Sequence, residues 1–291
     1  MSDDWTIVDL INTTKAFFEK KGIVDAARLD AELLLADVLG CSRIDLYVQF
    51  DRRVGDPQLS RFRERVRERG ERRPVKQILG RCEFMSHPFA ITPDVLTPRP
   101  ETETVVEEAL GCLGDGPRTV VDIGTGSGCI AISLALGRPD ATVYATDISE
   151  PALAVARANA EQHNVAERVA LLPGDLFAPL AGRGLDGRVD CIVSNPPYVS
   201  ESELAGLMPE VAEYEPRVAL VSGEDGMAHT RRILVAAPDY LRPGGALVVE
   251  TSPGTAERAR AAAESHDAYA EARTVRDLAH VERVLIATKE T

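Results

Sequence analysis

The first seventy or so residues have the spacing of apolar positions that is typical of amphipathic helices. Apolar residues recur about one helical turn apart in TIVDLINTTKAFFEKKG, which stops at Gly22, and in DAARLDAELLLADVLG, which stops at Gly40. Asp25 is a candidate N-cap for the second of these helices. The pattern predicts a small bundle of short helices, and we place this helical domain at residues 1–75.

The pattern changes after residue 75. The segment VKQILGRCEFMSHPFAITPDVL contains β-branched and aromatic residues that are interrupted by Gly80, Pro88 and Pro93. Short apolar pieces broken by glycine and proline are typical of short strands and turns. We therefore predict a linker that resembles a β-hairpin over residues 76–95.

From about residue 118, short apolar runs alternate with amphipathic stretches. The strand-like runs are RTVVDI, ATVYATD, RVALLP, RVDCIVS, GALVVE and ERVLIAT. Helical stretches such as EPALAVARANAEQHN and MAHTRRILVAAPDYL lie between several of them. This alternation predicts an α/β domain over residues 96–291, with a doubly wound, mostly parallel sheet that binds ligands at the carboxyl ends of its strands.

Composition limits the class of protein. With 291 residues, of which 44% are hydrophobic and 27% charged, the chain has the composition of a soluble globular protein. It has no long uncharged apolar run, and its start, MSDDWTIVDL, lacks the pattern of a secretory signal, so we expect a cytoplasmic protein without a membrane partner. The five cysteines show neither CxxC nor Cys/His spacing, which indicates no disulfide framework and no metal site.

The charge of the chain bears on nucleic-acid binding. A formal net charge of −13 opposes unaided binding to a phosphate backbone. One basic stretch, PQLSRFRERVRERGERR at residues 57–73, has seven arginines against three glutamates. We favour a solvated, salt-bridged helix face for this stretch, and the alternative is a docking surface for an acidic or RNA-like partner.

A glycine-rich turn follows the first predicted strand of the sheet. It reads DIGTGSGC and contains Gly124, Thr125, Gly126, Ser127 and Gly128. Glycines let a ligand approach the main chain closely, and a helix that begins near Ser127 presents free amides. The spacing is GxGxG rather than GxGxxG, and no GxxxxGK[ST] motif occurs, so an adenosine without phosphates fits better than a dinucleotide or nucleoside triphosphate.

Two acidic residues follow the next two strands. Asp147 ends the second strand, where its carboxylate can accept hydrogen bonds from both ribose hydroxyls. The alternative is that Asp147 only caps the helix that begins near Ser149. Asp175, in GDLF after the third strand, is a candidate acceptor for an adenine amino group, with apolar neighbours for the ring.

The fourth strand ends in SNPPYV. As a surface turn, this stretch would need no ligand, because Asn-Pro and Pro-Pro favour turns. Beside a nucleoside pocket it has another use: a rigid turn holds the Asn195 side-chain oxygen and a backbone carbonyl as two fixed acceptors, with the flat ring of Tyr198 beside them. That arrangement suits a planar NH₂ group whose nitrogen faces an electrophile such as a methyl sulfonium.

Taken together, the glycine turn, the acidic end of the second strand and NPPY resemble class I S-adenosylmethionine methyltransferases that act on planar nitrogens. Two flanking segments, RRPVKQILGRCEFMSHPFAITPDVLTPRPETE and EPRVALVSGEDG, are similar to those of the HemK/PrmC family of release-factor glutamine-N5 methyltransferases. The resemblance covers nearly the whole chain. It implies a Rossmann-like, seven-stranded sheet, an N-terminal bundle that docks the substrate, and methylation of the glutamine in the GGQ loop of peptide chain release factors.

The resemblance also implies roles for individual residues. The cofactor, S-adenosylmethionine, would contact Gly124, Thr125, Gly126, Ser127, Gly128, Asp147, Asp175, Leu176 and Asn195. The substrate glutamine would be held by Asn195, Pro196, Pro197 and Tyr198, of which Asn195, Pro196 and Tyr198 are the expected catalytic residues. Arg99, Thr102 and Glu103 would line the methionine end of the cofactor. The chain departs from the family at Glu250–Ser252 and at His280, and we therefore assign no site residues there and expect those strands to support the sheet edge.

Three alternatives share parts of this pattern. An adenine-N6 methyltransferase would share NPPY, but the acidic charge and the lack of an evident target-recognition domain argue against a nucleic-acid substrate. A glutamine methyltransferase for a ribosomal protein is closer, although PRPETE favours release factors. A noncatalytic nucleoside-binding regulator would have no need for NPPY. We expect a monomer whose partners are release factors.

Overall fold

The computed structural model describes residues 5–291, and its chain divides into two compact units. The first unit contains the chain up to Arg81 together with Met208–Tyr214, and the second contains Cys82–Leu207 and Glu215–Thr291. Residues 1–4, which begin the predicted helical domain and the start that lacks a secretory signal, lie outside the described residues. Within residues 5–291, no helix combines the length and apolar character that a membrane span requires.

The first unit is helical. Its helices are α1 (Ile7–Lys20), α2 (Ala27–Leu39), α3 (Arg43–Val48), α4 (Asp56–Gly70), α5 (Val75–Leu79) and α9 (Pro209–Ala212). Thr6 begins α1 with a capping box, and Gly40 ends α2 in the left-handed conformation, as the glycine at that position predicts. The N-cap of α2 is Ala26 rather than Asp25, and its side chain makes no capping bond. Buried Phe18, Leu34, Leu35, Leu46 and Phe62 form part of the core of this unit.

The arginines of α4 differ in their surroundings. Arg61 and Arg67 are exposed, as on a solvated helix face. Arg69 is buried, with Nε 2.7 Å from an oxygen of Asp30 and Nη1 3.0 Å from an oxygen of Glu210. Arg72 pairs with the other oxygen of Glu210 at 2.6 Å. These ion pairs fix α9 within the first unit.

The second unit contains a hairpin and a seven-stranded sheet. The hairpin strands are β1 (Arg81–Phe84) and β2 (His87–Ala90). The sheet strands are β3 (Arg118–Ile123), β4 (Ala141–Asp147), β5 (Val169–Pro173), β6 (Val189–Ser194), β7 (Leu241–Glu250), β8 (Tyr269–Arg276) and β9 (Glu282–Lys289). The helices are α6 (Glu103–Cys112), α7 (Cys129–Gly137), α8 (Glu150–Gln162), α10 (Ala228–Tyr240) and α11 (Ala256–Glu264).

The order of the strands is β5-β4-β3-β6-β7-β9-β8. The pairs from β5 to β7 are parallel, and β9 pairs antiparallel with both β7 and β8. This arrangement confirms the predicted doubly wound, mostly parallel α/β fold.

Both faces of the sheet are covered, because successive residues of its central strands point to opposite sides. Val120 and Cys191 belong to one hydrophobic core, whereas their neighbours Val121 and Ile192 belong to a second core. The central strands are thus fully buried, which explains why they appear in the sequence as continuous apolar runs rather than as alternating ones.

The order in which the strands are connected determines at which edge of the sheet a ligand can bind. After β3 the chain moves outward through β4 and β5, and then returns to the other side of β3 as β6. Ile123 is in register with Ser194, and the Ser194 hydroxyl donates to the carbonyl oxygen of Ile123 at 2.6 Å. The turns that follow β3 and β6 therefore leave the sheet side by side, at the kind of switch point where such sheets bind ligands.

Candidate active site

An open cleft lies at this edge of the second unit, with about 1010 Å³ of empty space that includes the solvent at its opening. Its walls come from the turns after β3, β4, β5 and β6, from the segment before α6, and from residues 216–219. Most predicted site residues line it, namely Gly124, Thr125, Gly126, Ser127, Asp147, Asp175, Leu176, Asn195 and Pro197. Gly128, Pro196 and Tyr198 are not in its wall. The cleft thus brings together most of the glycine turn, both acidic positions, and Asn195 and Pro197 of NPPY.

The glycine turn is held tightly against its neighbours. The amides of Gly124 and Thr125 both donate to the carbonyl oxygen of Thr146, at 2.9 and 3.0 Å. Gly128 has a φ of +80°, and a Cβ at this position would lie 3.0 Å from the side chain of Ile132 and 3.1 Å from that of Ala156. Glycine at this position therefore permits both the backbone turn and the close packing that begins α7.

Asp122 stabilises the glycine turn through a buried hydrogen bond. It is fully buried, and one carboxyl oxygen accepts a hydrogen bond from the Thr125 hydroxyl at 2.6 Å, while the other has no partner. Burial raises the pKa of this carboxyl to about 7. Sequence reasoning did not assign a role to Asp122, although it precedes the glycine turn directly.

Asp147 joins the glycine turn to the start of α8. One of its carboxyl oxygens accepts from the amide of Gly126 at 2.8 Å, and the other accepts from the amide of Ser149 at 2.8 Å. Ser149, rather than Asp147, is the N-cap of α8, because the Ser149 hydroxyl accepts from the amide of Ala152. Burial raises the pKa of Asp147, whereas these amide bonds oppose that shift. Each oxygen keeps a lone pair for a hydroxyl donor.

Two exposed apolar side chains face the cleft. Ile148 is 61% exposed and Val218 is 54% exposed, and both line the cleft with Leu176. Exposed aliphatic side chains in a concave site suit the faces of a planar ring. Sequence reasoning missed Ile148 and Val218, because an aliphatic residue beside a strand is normally assigned to the core.

Asp175 is less free than the sequence suggests. Both of its carboxyl oxygens bond to the guanidinium of Arg232, the closer pair at 2.5 Å. This pair is half exposed, and Asp175 lines the cleft whereas Arg232 does not. A contact between Asp175 and a base therefore remains a prediction, and it would share the carboxylate with Arg232.

The NPPY segment is held at both of its ends. The Asn195 amide donates from Nδ2 to the Thr102 hydroxyl at 3.3 Å, and the Tyr198 hydroxyl donates to a Glu250 carboxyl oxygen at 3.4 Å. Burial raises the pKa of the Tyr198 phenol, so this hydroxyl keeps its proton. Among residues 5–291, the hydrogen bond of the Asn195 side chain uses Nδ2, and no donor to its Oδ1 atom is found.

The following EPRVALVSGEDG segment packs directly on NPPYV. The amide of Val199 donates to the carbonyl oxygen of Leu220 at 2.9 Å, and the amide of Ser222 donates to that of Val199 at 2.8 Å. These bonds bring together in space two motifs that are separated in the sequence.

The segment before α6 contributes unevenly to the cleft. Thr102 lines it, as does Pro98. Arg99 instead pairs with buried Glu215 at 2.7 Å, and the Glu103 carboxylate accepts from the amide of Met85 in the hairpin at 2.6 Å. The structure thus places Thr102 at the cleft and gives Arg99 and Glu103 contacts elsewhere in the second unit.

Within the described part of the chain, no group of three or more histidine, cysteine, aspartate or glutamate side chains is arranged to hold a metal ion. The donor set of the cleft consists of carboxylates, an amide, hydroxyls and main-chain groups beside aliphatic side chains. Such a set fits a nucleoside without phosphates: Asp147 can accept from hydroxyl groups, the aliphatic side chains can pack against a base, and the described residues of the cleft wall include no cluster of basic side chains.

Comparison with known protein families identifies both parts of the chain. Residues 9–80 match the PrmC N-terminal domain, and residues 109–211 match the methyltransferase small domain. A release factor glutamine methyltransferase of Rhodopirellula baltica is 45% identical over 290 residues, which cover 98% of this chain and 97% of the relative. A second, from Geobacter sulfurreducens, is 47% identical over 253 residues, covering 87% and 86%.

Solved structures show the same fold. A methyltransferase from Pyrococcus furiosus has a TM-score of 0.50 and 21% identity, covering 70% of this chain and 89% of its own. A T. thermophilus 16S rRNA methyltransferase in complex with AdoMet and guanosine has a TM-score of 0.50 and 20% identity, covering 72% and 50%.

Proposed function

Because the chain belongs to the release factor glutamine methyltransferase family, we propose that it transfers a methyl group from S-adenosylmethionine to the side-chain N5 amide of the glutamine in the GGQ loop of class-one release factors. The observation that carries this proposal is the position of Asn195. It lies at the end of β6 in the cleft that also contains the glycine turn and Asp147. A planar-nitrogen acceptor site and a nucleoside site therefore share one opening.

S-adenosylmethionine supplies a methyl group that its sulfonium makes electrophilic. In this proposal Asp147 accepts hydrogen bonds from the ribose hydroxyls, and the glycine turn lets the rest of the cofactor approach the main chain. Ile148, Leu176 and Val218, which line the cleft, would contact the adenine ring. Asp175 receives the adenine amino group beside Arg232.

The chain must also orient a weak nucleophile. A glutamine amide nitrogen is weakly nucleophilic because its lone pair is delocalised into the carbonyl. We assign one amide hydrogen to Asn195 Oδ1 and the other to the Pro196 carbonyl oxygen, with Pro197 and Tyr198 beside the amide plane. Both acceptors become more favourable as positive charge develops on the nitrogen. The amide nitrogen would form a bond to the methyl carbon as the carbon–sulfur bond of the sulfonium breaks, and the electron pair of that bond would stay on sulfur as a thioether. The nitrogen would lose one proton, which passes to water because Asn195 is not a base.

The substrate is tested by measuring methyl transfer from labelled S-adenosylmethionine to four acceptors. These are a release factor, the same factor with its GGQ glutamine changed to alanine, a ribosomal protein, and a mixture of DNA and RNA. We expect label only on the unmodified release factor. Label on nucleic acid, or equal label on the alanine variant, would contradict the proposal. We further propose a monomer, which light scattering of the same preparation tests.

Two substitutions separate cofactor binding from catalysis. Asp147→Ala should weaken S-adenosylmethionine binding by about 1.5–3 kcal/mol, since hydrogen bonds to a charged group are lost. Asn195→Ala should leave most of this affinity, but slow single-turnover methylation of a GGQ peptide by about 10²- to 10³-fold, the loss expected for an oriented acceptor in a closed site. Calorimetry and rapid-quench kinetics measure the two effects. An Asn195→Ala enzyme with normal turnover would eliminate the assigned role.

A further inference from the structure

One histidine in the cleft wall has no role in the proposed function. His229 is the second residue of α10, is half-buried and lines the cleft. Its Nδ1 atom lies 2.9 Å from the hydroxyl oxygen of Ser222, and its main-chain amide donates to the same oxygen, also at 2.9 Å. Among residues 5–291, no hydrogen bond of its Nε2 atom is found, and this atom is not one of the buried unpaired atoms there.

The hydrogen bonds of Ser222 determine which ring nitrogen of His229 carries the hydrogen. Ser222 is fully buried, and one lone pair of its hydroxyl is already used by the amide of His229. Within the described part of the chain, Nδ1 of His229 is the one acceptor found for the Ser222 hydroxyl. A buried hydroxyl hydrogen without an acceptor is costly, so the hydroxyl donates to Nδ1, and the ring hydrogen is on Nε2.

The surroundings also keep this ring neutral. An imidazolium carries hydrogens on both nitrogens, so its Nδ1 could no longer accept from Ser222. His229 lies in the first turn of a helix of 13 residues, where the helix dipole disfavours a positive charge. Burial, followed by the charge of Arg232, lowers the pKa of His229, whereas the charge of Asp175 raises it. The cleft wall therefore contains one fixed N–H donor at neutral pH.

The position of His229 on α10 places this donor beside Asp175. Arg232 follows His229 by three residues, so the two side chains are neighbours on the helix surface. The guanidinium of Arg232 bonds both carboxyl oxygens of Asp175, the closer pair at 2.5 Å. Asp175 and His229 both line the cleft. An acceptor that follows β5 and a donor on α10 thus lie close together in the cleft wall.

A donor beside an acceptor matches one edge of adenine. The adenine amino group donates, and a ring nitrogen beside it accepts, whereas a 6-oxopurine has an oxygen in place of the amino group. Resting on the proposed use of S-adenosylmethionine, we propose that His229 donates from Nε2 to a ring nitrogen of the adenine whose amino group bonds to Asp175. The two side chains together select adenine over a 6-oxopurine, whose oxygen would face the Asp175 carboxylate.

The tautomer is tested on the full-length protein without any ligand. Proton–nitrogen correlation spectra of the labelled histidine rings distinguish a nitrogen that carries hydrogen from one that does not, and His229→Phe identifies the signal. We expect the hydrogen on Nε2 at neutral pH. In Ser222→Ala the ring should lose this fixed state, because nothing then donates to Nδ1. A wild-type ring with its hydrogen on Nδ1 overturns the inference.

The contact with adenine is tested by calorimetry. S-adenosylhomocysteine, the cofactor without its methyl group, is compared with its 1-deaza and 7-deaza forms, in which CH replaces one ring nitrogen. We expect one of these forms to bind wild type about 3- to 10-fold more weakly, the range for one neutral hydrogen bond, but to bind His229→Phe as well as the parent compound does. His229→Gln keeps an N–H donor and should keep the wild-type preference.

The matched control is the same substitution at another histidine of the second unit. His266 accepts from the amide of Ala268 and is not in the wall of this cleft, so His266→Phe should keep the wild-type preference. Equal binding of all three compounds to wild type overturns the inference, and so does an unchanged preference in His229→Phe. A wild-type protein that binds none of them is a different result, which overturns the proposed function itself.

Discussion

At the scale of single residues, two buried carboxyl groups lie next to the turns that form the cleft. Asp122 lies under the glycine turn and Glu250 lies behind NPPY, and both are fully buried with one oxygen unpaired. Burial raises the pKa of each to about 7. Ionising either group therefore costs the folded state free energy near neutral pH.

The raised pKa of Glu250 predicts a pH-dependent stability difference. The folded protein holds this proton up to a pH of about 7, whereas the unfolded chain loses it near the ordinary value of 4.5. The stabilising effect of the raised pKa is present below pH 4.5 and is lost as the pH rises through 7. Glu250→Gln cannot ionise and should gain stability relative to wild type between pH 5 and pH 8, by up to about 3 kcal/mol.

Melting temperatures of the two proteins across this pH range measure the effect. Thr251→Val, which changes no ionisable group, should differ from wild type by a constant amount at every pH. If Glu250→Gln also differs by a constant amount, the carboxyl does not titrate in this range.

At the scale of elements, the segment that packs on NPPYV depends on one glycine. Gly226 has a φ of +75°, and a Cβ there would lie 2.4 Å from the carbonyl oxygen of Tyr198. No rotation of a side chain relieves this contact, because the opposing atom belongs to the backbone. The second glycine of SGEDG therefore sets how closely this segment approaches the NPPYV turn.

Gly226→Ala should accordingly damage both stability and catalysis. The left-handed backbone alone costs about 1–2 kcal/mol, and displacement of the Tyr198 carbonyl should slow single-turnover methylation by about 10²-fold. Gly206→Ala is a matched control, because Gly206 has ordinary φ and open space around it. Denaturant melts and peptide kinetics of both variants test this, and equal behaviour of the two would show that the contact has no effect on the site.

Many of the helices and strands are predictable from the sequence. Buried parallel strands give apolar runs, and β3 and β4 therefore appear in the sequence with their observed bounds. The strand β8 was not predicted, because it is at the sheet edge and mixes exposed and half-buried residues without a clear period. The contacts of Glu250 and Thr102 were also missed, since hydrogen bonds between residues far apart in sequence leave no local pattern.

At the scale of the whole molecule, the first unit is made from two separate pieces of chain. The ion pairs of Glu210 join the two pieces, and two further hydrogen bonds do the same. The Gln77 side-chain amide donates to the carbonyl oxygen of Tyr214 at 3.0 Å, and the Tyr214 hydroxyl donates to the carbonyl oxygen of Glu71 at 2.6 Å. Sequence reasoning assigned residues 208–214 to the α/β domain. A helix of four residues is too short to show a periodic pattern of apolar positions, so the sequence does not indicate which core it joins.

The buried arginine of this unit provides a stability test. Arg69→Ala leaves Asp30 buried without its partner, and burial already raises the Asp30 pKa. We expect a loss of about 3–5 kcal/mol in unfolding free energy, as for other broken buried pairs. Arg67→Ala, on the same helix but exposed, should change stability little. Urea melts measure both variants, and equal unfolding free energies would show that the buried pair contributes nothing to stability.

This test also limits how docking by the arginine-rich helix can be examined. A charge reversal at Arg69 would report on folding, so the docking alternative has to be tested at exposed Arg61 and Arg67. A higher KM for a whole release factor, with unchanged kinetics on a GGQ peptide, would support docking there.

The two-piece construction of the first unit has a consequence for how this protein can be recombined with its relatives. A gene fusion that replaces residues 1–81 as one block would transplant Arg69, Arg72 and Gln77 without Glu210 and Tyr214, which are encoded far downstream. A working chimera therefore needs two exchanged segments, with junctions at 81/82, 207/208 and 214/215. The module that appears first in the gene is inherited intact only if a second, seven-residue insert travels with it.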